Sequence, residues 1–300
     1  MEKGRTEIRS GKTGIIWALS LVVTAVAVFF ASSYFLGSMP GKAGDKQTLI
    51  REMRFNLVRA SEQEKCAVMS VTDEDAQSFA DQSRTASDSI ERDRNALNRE
   101  IERSGSDKER ALLNRFNAAW TSLRQTDTKL LESAGQNTNL KAIELSRTIC
   151  DELLQKLHED LSKLTQKVYP PARRNEMDKI AGAAENAALK IALLQLRHID
   201  AASPAEKKTI ESSIRTESQK AISALKTLDS MTGRKSATFI NSATNGFGQF
   251  MQVNDEILRL SNINSNKTTV EISLGARRMA EAECDNLLKK LLTAAGKGSK

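Results

Sequence analysis

Residues Gly14 to Gly37 read GIIWALSLVVTAVAVFFASSYFLG, a run without a single charge. As a helix, about 24 residues rise roughly 36 Å, enough to cross the hydrocarbon core of a bilayer with some tilt. Trp17 and Tyr34 stand near its two ends, where amphipathic rings prefer the membrane interface. The run exceeds the apolar core of a signal peptide, about 7–15 residues, so it reads as a retained anchor. Cleavage near the small residues Ala31, Ser32 and Ser33 is the alternative. Lys3, Arg5, Arg9 and Lys12 make residues 1–13 a basic leader, expected in the cytoplasm. Lys42, Lys46 and Arg51 soften that bias from the other side. No second run of this length occurs. The expectation is a single-pass membrane protein, held in the lipid bilayer by residues 14–37, with everything after Gly37 on the side away from the cytoplasm.

The rest of the chain has few aromatic residues. Aromatics make up 4% of the sequence, and several of them lie in or beside the apolar run. Charged residues reach 28%. That balance suits an elongated helical bundle with a Leu, Ala and Ile core better than a β-sandwich. The net charge of +7 is spread among interspersed acids and bases, with no basic block carrying aromatics, so no nucleic-acid partner is expected. Cys66, Cys150 and Cys284 stand far apart with no CxxC, and all three fall at apolar helix positions. They read as small core residues, with no cofactor or metal.

The prolines mark boundaries. Pro40, between nearby glycines, closes the anchor, making residues 38–46 a linker. Pro170-Pro171 divides the region beyond that linker near its centre. Ser203-Pro204-Ala205-Glu206 is a complete helix-start signal. So are Thr72 to Asp75 and the capping box Ser106 to Glu109. Between these signals, apolar residues recur at helical spacing through eight segments. The clearest seam is Cys150, Leu154, Leu157, Leu161, Leu164 and Val168, at heptad spacing. The predicted fold is all-α: two tandem up-down four-helix bundles, residues 47–169 and 172–294, before a polar tail at 295–300. A six-helix bimodular stack with long shared helices is the alternative.

A repeat runs through both halves. Shifted by 127 positions, Trp120 falls on Phe247, Leu123 on Phe250 and Leu130 on Ile257. Around one interhelix loop QNTNLKAIELS falls on INSNKTTVEIS, matching two Asn, a Glu and a Ser as well as apolar positions. Asn tolerates a left-handed turn and caps the next helix, so the recurrence argues for a repeated fold.

No catalytic constellation is visible, and an enzyme is not expected. His158 and His198, the only histidines, lack an i+4 partner that would suggest a metal pair. There is no glycine-rich phosphate loop and no GxSxG elbow.

The Arg59 to Glu62 run, the acidic cap at Thr72 to Asp75, the Phe116 and Trp120 pair and the Asn137 to Ser146 loop together carry a resemblance. The chain resembles the four-helix-bundle sensor domains of bacterial methyl-accepting chemotaxis receptors, and most closely their helical bimodular variant. The resemblance implies an anchored periplasmic module that binds a small metabolite, works as a homodimer or with a receptor, and holds a carboxylate ligand with first-helix arginines. Here those would be Arg54 and Arg59. The sequence departs from that family in having no second membrane helix and no cytoplasmic signalling region, so the signal would pass through a partner. A rigid helical scaffold of the cell envelope is the competing function. A sensor needs convergent polar groups inside a bundle, whereas a rod keeps an unbroken apolar core.

Overall fold

The computed structural model describes residues 45–167, 170–233 and 236–297, and among these it holds helices and no strand. The run 14–37, the leader before it and most of the linker lie outside the described residues, as does Val168 of the expected seam. No described helix is long and apolar enough to cross a membrane. The elements are α1 (Lys46–Met69), α2 (Asp73–Ser104), α3 (Asp107–Ala134), α4 (Thr138–Arg147), α5 (Ile149–Gln166), α6 (Pro171–Asp200), α7 (Pro204–Met231), α8 (Ala237–Ile263) and α9 (Ser265–Ile272). A π-helical turn, Ser273–Arg277, leads into α10 (Arg278–Lys297).

The start signals act as their chemistry requires. Thr72 accepts from the Asp75 amide and Ser203 from the Glu206 amide. Ser106 and Glu109 exchange both bonds of a capping box. Pro171 and Pro204 occupy first-turn positions, where a missing N–H costs nothing.

The helices pack in a different partnership from the expected one. α1 and α2 form one hairpin, α6 and α7 another. The first core joins Ile50, Met53 and Leu57 of α1, Ile90 and Leu97 of α2, and Phe116, Trp120 and Leu123 of α3 to Leu287, Leu288 and Leu291 of α10. The second joins α6, α7 and α8 to Leu157, Leu161 and Leu164 of α5. The boundaries 47–169 and 172–294 therefore do not enclose the two bundles: α5 belongs to the second and α10 to the first. Each of the three α10 leucines is fully buried, and burying one such side chain is worth about 1.5–3 kcal/mol. The chain crosses from bundle to bundle twice, along α3-α4-α5 and back along α8-α9-α10.

Neither crossing is one straight helix. Thr148 (φ −109°, ψ −77°) separates α4 from α5, and Gly275 (φ −99°, ψ −105°) sits off helical geometry in the π turn. The physical reason for the exchange lies at the junction, where the two repeated loops meet. Asn137 and Asn264 both adopt the left-handed conformation, φ 46° and 57°. Neither caps its own helix. Instead the loops cap each other. The Thr138 amide donates to Ser265 Oγ at 3.0 Å and the Ser265 amide to Thr138 Oγ1 at 3.0 Å. The Asn139 amide donates to Asn266 Oδ1 at 3.0 Å, and Asn266 Nδ2 to Asn137 Oδ1 at 3.0 Å. Helix-start amides need acceptors, and here the other copy of the repeat supplies them. The expectation that each Asn caps the helix after it is corrected accordingly.

Candidate ligand-binding layer in the first bundle

The core of the first bundle is not continuous. Its main apolar cluster is separated from a smaller one, built on Ala67, Ala80, Leu130, Leu131 and Ala134, by a polar layer. α1 places Ser61 and Glu64 one turn apart among Leu57, Ala60 and Ala67. α3 places Asp127 between Leu123 and Leu130, on the same buried stripe. The π turn brings in Arg277, and Glu281 stands one turn later on α10.

Arg277 is 1% exposed and Glu64 fully buried. Arg277 Nε donates to Asp127 Oδ1 at 2.9 Å, while Nη1 reaches Ser61 Oγ at 3.0 Å and Glu281 Oε2 at 2.6 Å. Ser61 in turn donates to Glu281 Oε2 at 2.9 Å. Glu64 Oε2 is 3.3 Å from Arg277 Nε and the Ser273 side chain lies beside the carboxyl, but neither Glu64 oxygen has a well-formed hydrogen bond. Arg277 Nη2 and Gln63 Oε1 are also without partners. Three carboxylates thus surround one guanidinium. Burial raises Glu64 above its ordinary carboxyl value, with Arg277 opposing, and raises Asp127 in the same way. Burial works against the charge of Arg277, yet Asp127, Glu64 and Glu281 outweigh it and keep the guanidinium firmly protonated.

The second bundle carries the same layer in neutral form. The 127-position offset places Asp127 on Asn254, Arg277 on Cys150 and Ser273 on Ser146. The hairpins repeat at 131 positions, placing Glu64 on Gln195. These residues are buried and meet one another: Ser146 Oγ donates to Gln195 Oε1 at 2.9 Å, and Gln195 Nε2 to Asn254 Oδ1 at 3.2 Å. Amides replace acids, and their polar atoms have partners.

The residues singled out from sequence lie elsewhere. Arg54 Nε pairs with Asp285 Oδ1 at 2.9 Å, tying α1 to α10. Arg59 is exposed on another side of α1, so the structure does not bring the two arginines together. His158 is exposed beside Glu185 at 3.2 Å. His198 is buried. Its Nδ1 meets Ser261 Oγ at 2.8 Å and its Nε2 meets Glu211 at 3.1 Å. Lys207 Nζ also bonds Ser261, through both its carbonyl and its hydroxyl. The Ser-His-Glu order is that of a nucleophile relay, but His198 and Ser261 are each 0% exposed, so the hydroxyl faces no substrate. The network instead holds the ends of α6, α7 and α8 together. Burial keeps His198 below its ordinary value, as a neutral imidazole. Cys150 and Cys284 are buried, the latter with its thiol pushed up to about 12 by burial, whereas Cys66 is exposed and so is no core residue.

The charged layer left a trace in the sequence. The apolar stripe of α1 skips position 64 between Ala60 and Ala67, and that of α3 skips 127 between Leu123 and Leu130. Both gaps fall where the period demands a core residue. Among the described residues, no group of three or more His, Cys, Asp or Glu is arranged to hold a metal ion. No protein-family model matches this chain, and no curated protein matches it.

Proposed function

We propose that this chain is a sensor-like ligand-binding module, anchored in the inner membrane by residues 14–37, exposed on the periplasmic side and signalling through a partner. The observation that carries the reading is the layer around Arg277. A rod-like scaffold has no use for a buried, charge-imbalanced layer with unpartnered atoms, because such groups weaken a core unless something completes them.

The ends of the first bundle support a route for the signal. Lys46, at the start of α1, donates to the Ser104 carbonyl at 2.9 Å, and a Cβ on Gly296 would lie 3.6 Å from Gln47. The start of α1 and the end of α10 therefore sit together, and α1 comes after the apolar run in sequence. A shift at the layer, which touches both helices, would move both ends. Phe55 and Val58 are more than half exposed on α1 and offer a surface to a second copy or a receptor.

The test is a thermal-shift screen of the full chain against small organic acids, amino acids and amines. The acids include carboxylates that Arg54 and Arg59 would hold. A ligand at a hundred times its Kd stabilises the fold by about 2.7 kcal/mol, a readily measured rise in Tm. No shift from any compound would transfer the reading to the envelope scaffold, which the interlocked junction favours. A periplasmic phosphatase fused after Lys300 should be active, and activity of a cytoplasmic reporter alone would reverse the topology.

A further inference from the structure

We propose that the layer around Arg277 binds a small organic cation, a primary ammonium. The inference rests on the sensor reading and names the class of ligand for that site. Glu64, Asp127 and Glu281 place three acids against one guanidinium. Arg277 satisfies Asp127 and Glu281 and leaves Glu64 poorly served, at full burial. Glu64 has Arg277 3.3 Å away and Ser273 beside it, yet neither of its oxygens has a well-formed hydrogen bond, so part of the cost of its lost hydration is uncompensated. An ammonium would bring it N–H donors and a second positive charge.

Three other observations narrow the choice. The carboxylates do not gather as a metal site, so a bare metal ion fits less well than a ligand that distributes its donors. A zwitterion would leave the excess of negative charge in place, and an organic anion would add to it. Glu281 keeps a quarter of its side chain in water, which opens the layer to solvent at the edge of α10. The second bundle is a built-in control. With Gln195, Asn254 and Cys150 at the equivalent positions, the same layer closes on itself without charge and asks for no ligand.

The experiment titrates the full chain in detergent, at pH 7 and fixed ionic strength, with ethylammonium and 1,3-diaminopropane, using sodium chloride and acetate as controls. Tm should rise with either amine and not with the controls. Glu64→Gln, which copies Gln195, should fold and lose at least tenfold in amine affinity by calorimetry. Asp127→Asn should weaken binding in the same direction. If Glu64→Gln binds amines as well as the parent does, the site is elsewhere and the proposal fails. If acids or zwitterions raise Tm and amines do not, the cation assignment fails while the sensor reading stands. If nothing in the screen shifts Tm and only protons stabilise the layer, both fail.

Discussion

The two bundles have one architecture and two opposite solutions to a polar layer in the core. In the second, Gln195, Asn254 and Ser146 satisfy one another as neutral dipoles. In the first, Glu64, Asp127 and Glu281 crowd one arginine and leave Glu64 without a well-formed hydrogen bond. Two of the substitutions that separate them, Glu against Gln and Asp against Asn, barely change shape, while the third sets Arg277 against the small Cys150. The main difference is electrostatic: one copy of the duplicated scaffold closes its layer with neutral dipoles, and the other gathers charge there. A neutral amide layer costs little once its bonds are made, while a charged one is held only by its counter-ion and whatever completes it.

The comparison breaks most sharply at Arg277. Arg277→Cys alone should destabilise the first bundle by about 3–5 kcal/mol, because it strands buried carboxylates. Adding Glu64→Gln and Asp127→Asn places the second bundle's amides beside that Cys, with Glu281 kept at the layer's edge, and should recover most of that loss. Chemical denaturation of the single and triple variants measures both, and a triple variant no better than the single would show that the layers are not equivalent.

The exchange of helices gives the next largest effect. Leu288→Ala and Leu161→Ala, equivalent under the repeat, should each cost about 2–5 kcal/mol. Hydrogen exchange should place the loss from Leu288→Ala in α1 to α3, and that from Leu161→Ala in α6 to α8. Loss confined to each leucine's own half of the sequence would contradict the exchanged cores.

At the junction, Asn137→Ala should cost about 1–3 kcal/mol, from the left-handed backbone and the lost bond to Asn266. Asn137→Gly should recover the backbone part alone. Equal losses would mean that backbone conformation contributes nothing.

The bundles should also respond oppositely to mild acid. The folded carboxyl of Glu64 lies above its ordinary 4.5, so as pH falls from 7 the folded state takes up a proton before the unfolded state does. The first bundle therefore gains stability on going toward pH 4.5. Folded His198, buried and neutral, lies below its ordinary 6.5, so below that pH the unfolded state gains the proton first and the second bundle loses stability. Hydrogen exchange at pH 7 and 5 should show protection rising in α1 and falling in α6, and Glu64→Gln should reduce the first trend, Asp127 still contributing to it, and leave the second unchanged. The smallest effect belongs to Arg59→Ala, which should change stability by less than about 0.5 kcal/mol, as at an exposed site without special contacts.

Much of this is legible in the sequence. Thr72, Ser106, Ser203 and the prolines marked helix starts because capping is local chemistry between neighbours in sequence. The 127-position repeat was visible in the Asn loops, and the structure shows those loops bonded directly at that separation. The candidate site was harder to see. Gaps at Glu64 and Asp127 stood in otherwise regular stripes, but an acid at a core position cannot be distinguished from a local irregularity until a partner is known. Arg277, 213 positions beyond Glu64, gave no sign of being that partner. Arg54 read as free to hold a ligand for the same reason, with Asp285 far away in the chain.

Sequence alone determined that the described chain is helical, where most helices start, and that it is built on a duplicated plan. Only the tertiary structure decided which helix closes which bundle. Periodicity states that a helix has an apolar face, and any helix with a matching face can cover it. The choice was made at the junction, where each Asn loop finds the acceptors for its helix-start amides in the other loop. That pairing carries α5 and α10 across to the opposite bundles, and with α10 it delivers Arg277 to the acids of α1 and α3.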